Sequence, residues 1–145
     1  MKTKLYLLVA GMFLAATSSA LATVRYVNVN NADPTPPYTN WASAATNIQD
    51  AVDAAGVGDE IVVTNGTYTP VKVNTPLTLQ SVNGPGVTII DGGGTASCVY
   101  LATNALVVGF TLTNGVASSG GGVYCESSSA VLTNCVLTGN YAQGY

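Results

Sequence analysis

The stretch from Cys98 to Tyr145 says nearly the same thing twice. Cys98–Asn104 followed by Ala105–Gly115 is echoed by Gly122–Ser129 followed by Ala130–Asn140. Superposed with a shift of about 25 residues, in the range that marks repeat architectures, Val99 falls on Val123, Tyr100 on Tyr124, Ala105 on Ala130 and Leu112 on Leu137. The one insertion required is Ser129, which falls in a turn. A chain that repeats at this period cannot bury an apolar face within one repeat and has to stack successive repeats on one another.

The texture from Ile61 onward says how. Short apolar runs (Ile61–Val63, Val71–Val73, Leu77–Leu79, Val87–Ile90, Val99–Leu101, Leu106–Val108, Phe110–Leu112, Val131–Leu132 and Val136–Leu137) alternate with Asn- and Gly-rich turns, which reads as strands cut by turns. No helix fits between consecutive runs. Parallel strands ordinarily need a helical crossover, but a coil that returns at each period does without one. Each turn of such a coil lies over the previous one at about 4.8 Å, so like stacks on like. Val99 over Val123 and Leu112 over Leu137 become interior columns, while Thr111, Thr113 and Thr138 face water. Residues 61–145 hold about three to four rungs, near the minimum for repeat stacking, and such a stack is expected to be marginally stable.

Residues 1–22 read as a signal peptide. Lys2 and Lys4 give a positive start, Leu5–Ala16 is almost entirely apolar, and Ala20-Leu21-Ala22 fits a small-x-small cleavage pattern. The apolar core is too short to span a bilayer permanently, so no transmembrane helix is expected in a mature chain starting near Thr23, and a secreted or cell-surface location follows. Residues 23–60 then form an N-terminal unit. Val24–Val29 alternates like a half-buried strand, and Asn30–Asn40 carries Pro34, Pro36 and Pro37 and reads as a loop. Ser43–Ala55 has apolar residues at helical spacing, with Ser43 as N-cap and Gly56 as the stop. This single-striped helix is expected to cap the end of the coil.

Charge and residue choice exclude several functions. Charged residues make up 8% of the chain, about a third of the usual share. Beyond the leader the only basic residues are Arg25 and Lys72, too few for the basic face that nucleic acid needs. With no histidine, the usual general base and a common metal ligand are missing. Cys98, Cys125 and Cys135 match no metal-binding spacing and read first as small buried apolar residues. A Cys125–Cys135 disulfide is the sharper alternative in an exported chain. Asp50, Asp53, Asp59 and Glu60 could suggest calcium or an acid pair, but they lack a ligand loop and read as a solvated helix face and the turn leaving it. Asp91–Thr95 resembles a phosphate loop, yet a strand follows where a nucleotide fingerprint needs a helix. Asn65-Gly66-Thr67 fits a glycosylation acceptor and, more economically, an Asn-Gly turn. Tyr100, Tyr124 and Tyr141 could form a sugar-stacking stripe; the plainer reading is a side-chain ladder.

Two motifs carry a family resemblance. Asn47–Val63, with Gly66-Thr67-Tyr68 after it, looks like the cap helix and first rung of exported parallel β-helix proteins. Gly120–Tyr124, Leu132–Cys135 and Thr138–Asn140 look like the repeats of polymorphic outer-membrane proteins. From Tyr26 to its end the chain resembles the right-handed parallel β-helix proteins of the pectate-lyase-like superfamily, which implies an all-β solenoid with a short N-terminal capping helix. That superfamily includes polysaccharide lyases, glycoside hydrolases and non-enzymatic adhesins, so residues must choose among them. Lyases of this type are expected to carry clustered aspartates and a basic residue; here Asp91 stands alone among the rungs and Lys72 is their only base. A hydrolase needs paired carboxylates, and the position matching Glu126 one rung earlier is Ala102.

The expected function is therefore an exported non-catalytic β-helix segment, structural or adhesive, with no catalytic residue, metal ligand or cofactor assigned. A polysaccharide or cell-surface glycan is the expected partner. The alternatives are an enzyme whose catalytic rungs lie beyond residue 145, or a carbohydrate-binding module. Because the last repeat stops at Gly144-Tyr145, the coil is expected to continue, or its open strand edge to pair with another chain.

Overall fold

The computed structural model describes residues 21–144, so most of the proposed leader lies outside the described residues. Within them the chain is a parallel β-solenoid. After β1 (Val24–Val27), successive turns run through β2 (Glu60–Val63), β3 (Gly66–Tyr68) and β4 (Val71–Val73), then β5 (Thr78–Ser81), β6 (Thr88–Asp91) and β7 (Val99–Leu101). The coil continues through β8 (Leu106–Val108), β9 (Thr111–Thr113), β10 (Val116–Ala117) and β11 (Val123–Cys125), and closes with β12 (Val131–Thr133), β13 (Val136–Thr138) and β14 (Tyr141–Ala142). Three main sheets result, ordered β1-β2-β5-β8-β12, β13-β9-β6-β3 and β11-β7-β4, with β10-β14 as a small fourth. All of these pairs are parallel.

Register follows the repeat. Val99 pairs Val123, Tyr100 pairs Tyr124 and Leu112 pairs Leu137, as the superposed sequences require. Because side chains alternate faces along a strand, inward residues form columns: Ile61, Leu79 and Val107 are 0% exposed and stand in register. Ile90 and Leu112 form a second such column, and Val71 and Val99 a third. Phe110 fills a corner between them, fully buried. The columns lose cover toward the last turn, where Val131, Val136 and Leu137 are about half exposed.

Polar corners hold the turns in place. Asn140 donates from Nδ2 to the Leu112 carbonyl and accepts from the Gly115 N–H at 2.8 Å each, tying one turn to the previous one. Gly115 cannot be larger, since a Cβ there would collide with the Gly121 carbonyl. Asn114 and Asn134 sit at left-handed corners (φ 53° and 50°), a conformation asparagine tolerates better than most residues.

The N-terminal unit differs from the sequence expectation in two ways. The helix is α1 (Ile48–Asp53), shorter than Ser43–Ala55, and its N-cap is Asn47, whose side chain accepts from the Asp50 N–H. Ser43 instead ends a 3-10 turn, Trp41–Ser43, that is capped by Asn40. The cause is a competing demand from β1: Ala45 bridges Val27, donating to the Tyr26 carbonyl and accepting from the Asn28 N–H. A residue committed to that bridge is extended and cannot start a helix. Ile48, Ala51 and Val52 are buried, and α1 lies against β1, β2 and β4 as a cap.

The second difference is that β1 turns Arg25 inward. Arg25 stands in register with Ile61 at the head of an apolar column. There its guanidinium donates from Nη1 to the Pro37 carbonyl at 2.7 Å and from Nη2 to Asp59 at 3.1 Å. Asp59, read from the sequence as solvated, is 5% exposed. Burial pushes its carboxyl upward, but N–H donors from Gly56 and Thr23 together with Arg25 outweigh that and hold it below the ordinary value of 3.8. Asp50 and Asp53 remain at the solvated surface as expected, exposed.

Candidate functional site

The outer face of the sheet formed by β4, β7 and β11 carries a cluster of long polar and aromatic side chains that the repeat lines up. In β4, Val71 and Val73 point inward and Lys72 outward; Tyr100 in β7 and Tyr124 in β11 take the same outward register position. The Tyr100 and Tyr124 rings stack with centroids 5.3 Å apart and planes 22° apart. On the other side of the Tyr100 ring, Lys72 Nζ sits 4.6 Å from the centroid, a cation on the electron-rich face of an aromatic. The order along the solenoid is thus ammonium, ring, ring. Among the described residues, no further ring or ammonium covers the second face of Tyr124.

The lysine end of the ladder is held from outside the sheet. Gln49 of α1 replaces a neighbouring strand for β4: its Oε1 accepts from the Lys72 N–H at 2.8 Å and its Nε2 donates to the Lys72 carbonyl at 3.1 Å. Asp53 accepts a second hydrogen bond from the same Nε2 at 2.7 Å, so the cap helix fixes the strand that carries the lysine. At the middle of the ladder, hydrogen bonding to the Glu126 carboxylate is the main cause that pushes the Tyr100 phenol up to about 12 from its ordinary 10.0, with partial desolvation and the charge of Glu126 adding to it.

Two clefts flank the stacked rings and share Ser97 and Tyr100. One, of 470 Å³, is lined also by Ser118, Ser119, Tyr124 and Glu126. The other, of 280 Å³, adds Gln49, Pro70, Val71, Lys72 and Ala96. Together they make an open trough floored by tyrosine and rimmed with hydroxyls, one amide, one cation and one anion. That inventory suits a polyhydroxylated ligand, whose C–H faces pack on aromatic rings and whose hydroxyls exchange hydrogen bonds with short polar side chains. A separate 410 Å³ depression beside Leu77, Leu106 and Val131 is almost wholly apolar and carries no titratable group.

The other residues singled out in the sequence lie elsewhere. Tyr141 pairs Val116 in the fourth sheet and is no part of the ladder, which corrects the three-tyrosine stripe. Asp91 sits on the adjacent sheet, accepting from the Gly93 N–H and from Asn114. The Asn65 side chain accepts from Asn83 at 2.7 Å, one turn on. Cys98 is buried, but Cys135 is only half-buried and Cys125 is exposed, which corrects the reading of all three as buried; each is a free thiol here. Among the described residues, no three His, Cys, Asp or Glu side chains converge as metal ligands, and no helix is long and apolar enough to cross a membrane.

Two members of the site escaped the sequence reading. Lys72 precedes the clear repeat, and only the weak echo of Val71-Lys72-Val73 in Val99-Tyr100-Leu101 signals that it stands under Tyr100. Glu126 has no carboxylate in register with it, and its partner is instead Tyr100 on the neighbouring strand. Searches for a matching family model, curated protein or solved structure found none.

Proposed function

We propose that the chain is an exported, non-catalytic β-solenoid of the pectate-lyase-like parallel β-helix kind, serving at a bacterial surface or in the medium as an adhesive segment that contacts polysaccharide. The observation that carries this reading is the Lys72–Tyr100–Tyr124 ladder, floored into a trough with serine hydroxyls on both sides. A sugar ring packs its C–H face on the tyrosines that floor the trough, and Ser118, Ser119 and Glu126 reach its hydroxyls. Lys72 and Glu126 orient the rings, and the trough offers neither a second carboxylate for hydrolysis nor a base beside a clustered set of acids. The leader pattern of residues 1–22 supports export.

The test is a co-sedimentation series with insoluble polysaccharides, run beside an assay for released reducing ends and unsaturated products. Binding without turnover is the expected result. Turnover would make the segment an enzyme, and the absence of binding to every polysaccharide would remove the adhesive reading.

A further inference from the structure

We propose that hydrolysis of the Ala22–Thr23 peptide bond does more than release a leader: it creates a half-buried ion pair between the new α-ammonium of Thr23 and Asp59, which locks the N-terminal cap. The cut rests on the export reading above; the ion pair rests on geometry alone.

The nitrogen of Thr23 already lies 2.8 Å from Asp59 Oδ1. The Thr23 carbonyl accepts from the Glu60 N–H at 3.0 Å, so the residue is held at both ends by the start of β2. The other carboxylate oxygen, Oδ2, takes the Gly56 N–H at 2.8 Å and Arg25 Nη2 at 3.1 Å. Immediately upstream the chain leaves the surface: Ala22 is exposed and Leu21 is 89% exposed. The bond to be cut is therefore accessible, while the nitrogen it would free is anchored. Ala20-Leu21-Ala22 supplies the small-x-small pattern for the cut at that bond.

In the cleavage, water adds across the amide. The C–N bond breaks, the hydroxyl goes to the Ala22 carbonyl carbon, and Thr23 nitrogen takes the proton; the Ala22 acid then ionises and the amine is protonated. No oxidant or second reactant is needed. The nitrogen stays where it was, but a neutral N–H donor has become a cation. Before the cut, buried Asp59 faces one full positive charge, Arg25; afterwards it faces two, with Thr23 at a charge-assisted hydrogen-bond distance. Because Arg25 heads the Ile61 column, tightening Asp59 tightens the closure of the apolar core.

The full chain is expressed in an exporting bacterium and the N-terminus of the product is sequenced; Thr23 is expected. The processed chain is then compared with its Nα-acetyl form, prepared near neutral pH where Lys72 stays protonated and checked by mass for a single acetyl group. Acetylation restores an amide N–H at the same place and removes only the charge. It is expected to shift the folding equilibrium toward the unfolded state by about tenfold, and to have no such effect in Asp59→Asn. An NMR titration of the Thr23 amine covers the case in which that variant does not fold: the pairing raises the amine above the ordinary range of about 7.7–8.0. Equal denaturation midpoints for free and acetylated chains, or an ordinary amine titration, overturn the ion pair. A product beginning elsewhere overturns the cut, while the acetylation comparison on a chain released at Thr23 by an engineered protease site still decides the pair.

Discussion

Tyr100 and Tyr124 stand one above the other on adjacent turns, ring centroids 5.3 Å apart, because the repeat puts the same residue at the same outward position of β7 and β11. Stacking at the strand spacing forces the rings nearly parallel, and Lys72 lies over the Tyr100 ring at the other end of the stack. The feature that makes the chain fold as a solenoid is thus the feature that builds its candidate binding face.

The Tyr100 phenol should titrate at about 12 in an NMR titration of tyrosine side chains. Its folded value lies above the unfolded one, so the neutral phenol is the form the fold favours. That contribution is fully present below pH 10.0 and is lost as the pH rises through about 12. Replacing Glu126 with Gln should bring the titration down toward the ordinary value; an unchanged titration would mean that Glu126 is not its cause.

Leu112 and Leu137 share one column but not one environment, at 0% and 53% exposed. Leu112→Ala should destabilise by about 2–5 kcal/mol through lost burial and a cavity. Leu137→Ala should cost only about 1 kcal/mol, since only about half of its surface is withdrawn from water. Chemical denaturation of the two variants measures both, and equal losses would contradict the burial gradient along the stack.

Asp59 carries the acid sensitivity of the cap. Its folded pKa lies below 3.8, so the ionised form is the one the fold favours. The stabilisation is present above the unfolded value and is lost as pH falls through the lower folded value. Asp59→Asn strands Arg25 in a buried position and should cost on the order of 3 kcal/mol, with a flatter dependence of stability on acid pH than the parent chain. Denaturation midpoints measured between neutral and strongly acid pH would show it.

How much of this was legible depends on whether a residue repeats. Val99 with Val123, Tyr100 with Tyr124 and Leu112 with Leu137 could be paired on paper because side-chain identity recurs where strands stack. Residues used once could not. Arg25 and Asp59 meet only because β1 lies beside β2, and nothing local in either segment announces an ion pair. Ser43 looked like an N-cap because the apolar spacing begins there, but Ala45 was already taken by β1. Tyr141 matched its fellow tyrosines in type alone, and its register with Val116 sends it to another sheet.

The most direct test of the proposed binding face is an oligosaccharide array probed with the parent chain, Tyr124→Ala and Tyr141→Ala, each first shown to be folded by circular dichroism. The account predicts that the parent binds at least one class of oligosaccharide, that Tyr124→Ala weakens it by about tenfold or more, and that Tyr141→Ala leaves it unchanged. Binding that survives Tyr124→Ala, or that both substitutions abolish alike, would contradict it.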